Sequence, residues 1–171
     1  MPEQPVADIQ RAFVGLGANI GEPVAQLKSA LSELARLPES SLLRVSSFYR
    51  SPPWGIEAQP PFVNAVAELA TSLSPEQLMA SLLSIEHAAG RERSMRWGPR
   101  VLDLDLLVFG DFIIDRPGLR VPHPYLHQRA FVLVPLAEIA PDLMVPGLSS
   151  AVALLQAVDC AGIKSLAALS P

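Results

Sequence analysis

The feature that most restricts the fold is the strict alternation of leucine and aspartate from Leu102 to Leu106. An apolar residue at every second position is typical of a half-buried β-strand, whose successive side chains point to opposite faces of a sheet. The leucines would then pack into a core, and Asp103 and Asp105 would project together from the other face, about 7 Å apart. Aspartate is depleted in strands and like charges on one face repel, so the pair is costly unless a cation or solvent offsets it.

Two interpretations of this aspartate pair stay open on the sequence. The strand has either a solvated acidic face or a cation that Asp103 and Asp105 share. Oxygen ligands in this small number suit Mg²⁺ that arrives with a phosphate substrate better than they suit a cage made entirely of protein groups.

The segment before this strand is strongly basic. Residues 91–100 hold four of the 11 arginines of the chain, which has only two lysines. The planar guanidinium matches phosphate oxygens bidentately, and glycine and proline in the segment predict a loop that closes over a ligand. Taken alone, the segment is better explained as a solvated basic loop. Beside two aspartates it favours transfer of a phosphoryl-type group, which requires positive groups next to a divalent cation.

A second candidate site lies on a strand predicted over residues 62–71, where Phe62 and Asn64 share one face. An aromatic surface beside an amide that donates and accepts hydrogen bonds suits a heteroaromatic ring. The alternative is a core phenylalanine with an incidental asparagine. Trp54, in the proline-rich loop 51–61, is either a wall of such a pocket or a surface side chain.

Hydrophobic spacing and turn residues predict alternating strands and helices along the chain. The second helix is the best marked, because Ser74 and Gln77 form a capping box and Gly90 suits the end. The order strand, helix, strand, strand, helix, strand is that of an α+β ferredoxin-like split βαβ fold (βαββαβ core), with an added hairpin and C-terminal helical segments. The predicted strands are 12–17, 42–49, 62–71 and 101–109, the hairpin is 112–121, and the helices are 23–37, 75–89, 130–139 and 151–158.

Composition limits the class of protein. Half of the 171 residues are hydrophobic and 18% are charged, which excludes a disordered chain. The net charge of -4 argues against a general polyanion-binding surface. Cys160, the only cysteine, excludes an intrachain disulfide and a cysteine-based zinc site, so we expect a reducing, cytoplasmic compartment. We expect residues 1–171 to form one domain with a loose tail at 1–10, and neither a signal peptide nor a membrane segment.

Several common ligand-binding motifs are absent from the sequence. The glycine-rich segment 15–21 has one residue too many between its last two glycines for the dinucleotide fingerprint, and no Walker A sequence occurs. His123 and His127 are four residues apart, but Pro124 argues against a regular helical turn and therefore against a zinc hydrolase.

Seven segments match one known family in order and spacing: residues 15–21, 46–51, 59–65, 90–93, 97–105, 121–124 and 129–131. The Gly-Pro-Arg-Val-Leu-Asp-Leu-Asp segment at 98–105 is highly specific, whereas the glycine-rich start is weak by itself. On these segments the chain, over about residues 12–147, resembles the 6-hydroxymethyl-7,8-dihydropterin pyrophosphokinases of folate biosynthesis.

The resemblance implies a ferredoxin-like fold and transfer of pyrophosphate from ATP to the hydroxymethyl oxygen of 6-hydroxymethyl-7,8-dihydropterin, which releases AMP. It implies that Asp103 and Asp105 hold two Mg²⁺ ions arriving with ATP, and that Arg91 and Arg93 act with them as catalytic residues. In-line attack on the β-phosphorus depends on positioning and charge neutralisation, so no strong base is needed. The implied pterin-binding residues are Ser51, Pro53, Trp54, Phe62, Asn64 and Phe131, and the implied nucleotide-binding residues are Glu86, Arg91, Arg93, Trp97, Arg100, Leu106, His123 and Arg129.

Two other classes of function compete with this one. A Mg²⁺-dependent phosphohydrolase would use the same aspartates and arginines, but it gives Phe62, Asn64 and Phe131 no task. An RNA-binding ferredoxin-like module would need the aromatic strand pattern and basic sheet face of that class, and the sequence has neither. We therefore expect ATP and the pterin as partners, with no nucleic acid, membrane or obligate protein partner.

Overall fold

An antiparallel sheet forms the centre of the molecule, with helices on both faces. The computed structural model describes residues 8–52, 59–90 and 101–166. In that part of the chain the strands are β1 (Gln10–Ala18), β2 (Ser40–Val45), β3 (Tyr49–Ser51), β4 (Phe62–Thr71), β5 (Asp103–Phe109), β6 (Ile114–Arg116), β7 (Leu119–Val121) and β8 (Lys164–Ser165). The helices are α1 (Pro23–Ala35), α2 (Pro75–Ala88), α3 (Ala130–Ile139) and α4 (Ala151–Gln156), with a 3₁₀ turn at Leu126–Gln128.

The strand order of the main sheet is β5-β1-β4-β3-β8, and β2 also pairs with β4. Helix α1 connects β1 to β2 across β4, and α2 connects β4 to β5 across β1. Each helix therefore links two strands that have a third strand between them, which is the split βαβ arrangement. The ferredoxin-like α+β fold predicted from the element order is confirmed, and β6 and β7 form the predicted hairpin.

Helices α1 and α2 cover one face of the sheet because each carries an apolar stripe. Leu34 on α1 and Leu82 on α2 are fully buried, together with Leu104 and Leu106 of β5. The leucines of the alternating segment thus lie in the core, as predicted. Removing an apolar side chain of this size from water contributes about 2 kcal/mol to stability.

The predicted capping box at the start of α2 is present. The Gln77 N–H donates to Ser74 Oγ at 3.1 Å, and the Ser74 N–H donates to Gln77 Oε1 at 2.9 Å. Gly90 follows the helix with a φ of 86°, in the left-handed region that favours glycine. These local signals fix where α2 begins and ends, and therefore where the chain leaves for β5.

Several predicted strand boundaries are wrong, and β1, for example, covers Gln10–Ala18 where 12–17 was predicted. The strand predicted over 42–49 is divided into β2 and β3, because the Ser46 side chain interrupts the ladder with β4. The Val66 N–H donates to Ser46 Oγ at 2.9 Å, and Ser46 Oγ donates to the Ser47 carbonyl at 2.8 Å. Strand β5 begins at Asp103 instead of 101, because its pairing with β1 ends where Asp103 meets Gly17.

The second face of the sheet is covered along part of its length. Phe13, Val66 and Leu107 are buried there in a cluster with residues of α3 and α4. On the same face, Asp103 and Phe62 stay partly exposed. The partly covered end of this face, where β1 ends and β5 begins, is where the predicted site residues meet.

Candidate active site

A row of paired residues on four neighbouring strands forms the floor of the site. Asp103 on β5 pairs with Gly17 on β1, Gly17 pairs with Asn64 on β4, and Asn64 pairs with Tyr49 on β3. Residues directly opposite each other in antiparallel strands point to the same face. Gly17 therefore separates an acidic side, with Asp103 and Asp105, from an amide and aromatic side.

Gly17 keeps this floor free of side chains. A Cβ atom at that position would lie 3.0 Å from Nδ2 of Asn64 and 4.0 Å from Cδ1 of Phe62. The first distance is shorter than ordinary van der Waals contact, so any side chain at position 17 would have to displace the Asn64 amide. In the sequence, Gly17 belongs only to a weak glycine-rich motif. Its position opposite Asn64 depends on strand pairing and could not be predicted from that motif.

On the acidic side, Asp105 faces two basic side chains. Arg129 Nη1 is 3.6 Å from Oδ2 of Asp105, and His123 Nε2 is 3.9 Å from Oδ1. The Arg129 side chain is only 7% exposed and that of Asp105 is 30% exposed, so the pair is partly shielded from water. The structure thus brings together three residues that the family resemblance assigns to phosphate and metal binding.

His123 is a neutral hydrogen-bond donor near pH 7. The pKa of its imidazole is lowered to about 4, first by burial and then by the positive charge of Arg129, and Asp103 opposes these effects. The Tyr125 N–H donates to Nδ1 at 3.2 Å, so the proton of the neutral ring lies on Nε2. Nε2 is the atom nearest Asp105, and His123 therefore presents an N–H group to the site without adding a charge.

Arg129 supplies the positive charge at this point. Burial lowers its pKa, opposed first by Asp105 and then by Asp103, but a guanidinium stays protonated at neutral pH. Its Cζ lies 5.4 Å from the ring centroid of Tyr125 and 5.5 Å from that of Phe131, within cation–π distance of both. Because Arg129 is the N-cap residue of α3, the start of that helix fixes both Arg129 and Phe131.

On the amide side, Asn64 is held in one orientation. Ser51 Oγ donates to Asn64 Oδ1 at 2.5 Å, and both residues are buried. The strand pairing places Phe62 opposite Ser51. Ser51, Phe62 and Asn64, which the family resemblance assigns to the pterin, therefore come together on β3 and β4.

Asn19 is a residue of this region to which sequence reasoning gave no role. It directly follows β1, is 2% exposed, and its Nδ2 donates to Gln59 Oε1 at 2.9 Å and to the Pro60 carbonyl at 3.0 Å. These bonds fix the chain immediately before Phe62. The sequence shows an asparagine directly after an apolar strand. Its hydrogen-bond partner Gln59 is 40 residues away and could not be predicted from that pattern.

Two predicted nucleotide residues lie deeper than the others. Glu86 on α2 is 2% exposed, and its Oε2 accepts a hydrogen bond from the Leu104 N–H at 2.9 Å. Glu86 thus ties α2 to the start of β5. Leu106 is 1% exposed in the core beneath α1 and α2, so any contact with a nucleotide would come from its backbone.

Six predicted site residues lie outside the residues that the structure describes. They belong to the proline-rich loop and to the basic segment before β5, and they are Pro53, Trp54, Arg91, Arg93, Trp97 and Arg100. Within the described ranges, no three His, Cys, Asp or Glu side chains are grouped to hold a metal ion. The helices in those ranges include none with the length and apolar character needed to cross a membrane.

The sequence matches the family model of 7,8-dihydro-6-hydroxymethylpterin-pyrophosphokinase (HPPK) over residues 13–141. It is 49% identical over 158 residues to the 2-amino-4-hydroxy-6-hydroxymethyldihydropteridine pyrophosphokinase of Pseudomonas aeruginosa, which covers 92% of this chain and 98% of that protein. A protein of the same name from Haemophilus influenzae is 48% identical over 135 residues, covering 79% of this chain and 84% of that protein.

The fold is also similar to solved structures. An HPPK-DHPS crystal structure from Plasmodium falciparum has a TM-score of 0.73 and 13% sequence identity, covering 88% of this chain and 46% of that one. This chain spans less than half of that larger protein, and at such low identity the likeness concerns the fold alone. The family model, by contrast, covers most of this chain, and the Pseudomonas relative matches it along nearly its whole length. This chain therefore belongs to the 7,8-dihydro-6-hydroxymethylpterin-pyrophosphokinase family.

Proposed function

We propose that this chain is an ATP-dependent enzyme of folate biosynthesis that transfers pyrophosphate to 6-hydroxymethyl-7,8-dihydropterin. The hydroxymethyl oxygen attacks the β-phosphorus of ATP, and the bond from that phosphorus to the oxygen that bridges to the α-phosphate breaks. AMP leaves with this oxygen, and the hydroxyl proton is released to solvent. The observation that carries the proposal is the division of one sheet face by Gly17 into an acidic and basic side and an amide and aromatic side. Family membership supports the reaction, and this division supports separate places for the two substrates.

Asp103 and Asp105 are the proposed Mg²⁺ ligands. Both carboxylates are partly exposed on one sheet face, and Asp105 faces the basic side chains of Arg129 and His123. Two carboxylates beside groups that bind phosphate fit Mg²⁺ that enters with ATP. When bound, the metal would neutralise phosphate charge and orient the phosphates for in-line displacement. The presence of two ions stays a prediction.

The proposed phosphate ligands in the described region are Arg129 and His123. The guanidinium donates charge-assisted hydrogen bonds, which are stronger than neutral ones. The neutral imidazole adds an Nε2–H donor at the same place. Because both side chains are largely buried, little reorganisation is needed when phosphate binds, which is the condition for electrostatic catalysis.

The proposed pterin site lies on the other side of Gly17. The pterin ring would stack between Phe62 and Phe131, and the Asn64 amide would read its edge. Ser51 supports this assignment, since its bond to Oδ1 fixes which way the amide points before a ligand arrives. Such preorganisation lowers the cost of binding. The roles predicted for Pro53, Trp54, Arg91, Arg93, Trp97, Arg100, Glu86 and Leu106 stay predictions, as does the cytoplasmic location.

The test is to mix the purified protein with ATP, Mg²⁺ and 6-hydroxymethyl-7,8-dihydropterin and to separate the nucleotides. We expect AMP that forms only when the pterin is present. The Asp103→Asn variant should lose this activity. Asp115→Asn is the matched control, because Asp115 is an exposed carboxylate of β6 that pairs with Arg120. ADP, or phosphate released without the pterin, would favour the phosphohydrolase and contradict the proposal.

A further inference from the structure

A carboxylate ties the last turn of helix α3 to the sheet, beside the hydrogen bond that Arg44 of β2 donates to the Ile139 carbonyl at 3.0 Å. Glu138 Oε2 accepts hydrogen bonds from the Ser47 N–H at 2.8 Å and from Ser47 Oγ at 3.2 Å. Its other oxygen, Oε1, accepts a hydrogen bond from the Tyr49 hydroxyl. One side chain of α3 therefore holds three donors from the short segment in which β2 gives way to β3.

The same helix carries two proposed ligand-binding residues at its other end. Arg129 is the N-cap of α3 and Phe131 lies in its first turn. Positions 131 and 138 are seven residues apart, two helical turns, so they lie on the same side of the helix. About 10 Å of helix separates them. Pro135 lies between them and removes the hydrogen bond to the Phe131 carbonyl. A shift at Glu138 therefore reaches Phe131 through the buried side chains of Val132, Leu133 and Leu136.

Strand β3 contacts both elements that carry the proposed pterin ligands. It pairs with β4, which carries Phe62 and Asn64, and it meets α3, which carries Phe131. Tyr49 pairs with Asn64 and Ser51 pairs with Phe62. On this one strand, the Ser51 hydroxyl orients the Asn64 amide and the Tyr49 hydroxyl holds α3 through Glu138. The three residues of β3 thus link the β4 side of the pocket to the helix that brings Phe131.

We propose that Tyr49 and Glu138 are positioning residues that set the placement of α3, and with it Phe131, relative to Phe62 and Asn64 across the pterin site. This inference rests on the proposed function, because it concerns how well the same site binds its pterin. Neither residue needs to touch a ligand. The contact acts through the helix. Its loss should weaken pterin binding more than nucleotide binding, because Arg129, at the same end of α3 as Phe131, is also held in place by Asp105 of β5.

The state of the Tyr49 hydroxyl gives a signal that is independent of ligands. The pKa of Tyr49 is raised to about 12, first by burial and then by the hydrogen bond and negative charge of Glu138. The chain has only two tyrosines, Tyr49 and Tyr125, so an ultraviolet titration resolves the shifted one. Loss of the Glu138 carboxylate should lower the pKa of Tyr49 by part of this shift, because burial, the larger cause, remains.

The test compares Tyr49→Phe and Glu138→Ala with wild type. The dissociation constant of 6-hydroxymethyl-7,8-dihydropterin is measured by calorimetry with Mg²⁺ and a non-hydrolysable ATP analogue present, and that of the analogue is measured separately. We expect pterin binding to weaken roughly 2- to 30-fold in both variants, the range of coupling through packed elements, with analogue binding changed by less than about twofold. Glu138→Gln should bind pterin almost as wild type, because its amide can still accept from Ser47 and donate to the Tyr49 oxygen.

Glu76→Ala is the matched control. Glu76 is an exposed carboxylate on α2 that contacts Arg116 of the hairpin, and its loss should leave both dissociation constants unchanged. Unchanged pterin binding in folded Tyr49→Phe would overturn the inference, as would an equal weakening of both ligands. If Glu138→Ala does not fold, Tyr49→Phe decides the matter. Failure of the proposed function would look different, because wild type itself would then bind no pterin. In that case hydrogen exchange at residues 130–133 would still show whether Tyr49→Phe loosens α3.

Discussion

The two aspartates should contribute unequally to the stability of the ligand-free protein, although both are proposed to bind Mg²⁺. Asp105 lies 3.6 Å from the buried guanidinium of Arg129, and its effect on the pKa of that group is larger than that of Asp103. Replacing Asp105 with asparagine leaves a buried positive charge without its nearest described carboxylate. We therefore predict that Asp105→Asn is less stable than Asp103→Asn, with metal and nucleotide removed.

The size of the difference follows from Coulomb's law. At 3.6 Å two unit charges attract by about 1 kcal/mol in water and by about 5 kcal/mol at an effective dielectric constant of 20. The Asp105 side chain is 30% exposed, so solvent screens the pair and the lower part of this range, about 1–2 kcal/mol, applies. Repulsion between the two aspartates, about 0.6 kcal/mol at 7 Å in water, is relieved in either variant and cancels in the comparison.

Thermal and urea unfolding of both variants in the presence of a chelator at pH 7 measure the difference. For a chain of this length, we expect the Tm of Asp105→Asn to lie about 2–8 °C below that of Asp103→Asn. The gap should narrow in 1 M salt, where the Debye length falls to about 3 Å. Asp115→Asn, at an exposed ion pair in the hairpin, should remain close to wild type.

Two results would refute this reasoning. If the two variants unfold at the same temperature, the contact between Asp105 and Arg129 does not stabilise the fold. If Asp103→Asn is the less stable, the nearer carboxylate has been assigned wrongly. A gap that does not respond to salt would mean that packing or hydrogen bonding, not charge, separates the variants.

Three further outcomes are expected. Asp103→Asn and Asp105→Asn should each lower pterin-dependent AMP formation by about 10²-fold or more at saturating Mg²⁺ and ATP, because each removes a proposed metal ligand. Gly17→Ala should raise the KM for the pterin with little change in the KM for ATP or in Tm, since its Cβ meets the Asn64 amide while the backbone needs no positive φ. Because the pKa of Tyr49 is about 12 when folded and 10 when unfolded, the folded state keeps the proton more tightly. This difference in pKa adds to the free energy of unfolding below pH 10, and the added stability is lost as the pH rises from 10 to 12. Urea unfolding should therefore show that wild type loses more stability over this interval than Tyr49→Phe.

The sequence predicted those elements whose signals are local. The capping box of Ser74 and Gln77 marks α2, the leucine and aspartate alternation marks β5, and the order of strands and helices along the chain indicates the fold. The face shared by Asp103 and Asp105 follows from the same alternation. These features need only neighbouring residues, because a capping bond or a strand period is complete within a few positions.

Features that depend on distant partners could not be predicted in this way. The pattern over 42–49 is that of one strand, but Ser46 bonds to Val66 twenty residues later and divides it. In the same way, the sequence grouped Asp105 with the metal site and gave no sign that it also faces buried Arg129. Such contacts are set by how the sheet and α3 pack, so their energies belong to the folded chain and not to a motif.

The location of the site follows from where α3 crosses the sheet. At its N-cap Arg129 meets Asp105 of β5, and in its last turn Glu138 meets Tyr49 of β3. Strands β1 and β4 lie between these two strands, so a helix of 10 residues, about 15 Å long, is enough to span all four. Its buried side chains cover Phe13 and Val66, whereas Asp103 and Phe62 on the same face stay partly exposed. The short helix thus leaves room for ligands and, through Arg129 and Phe131, also provides one wall of the site.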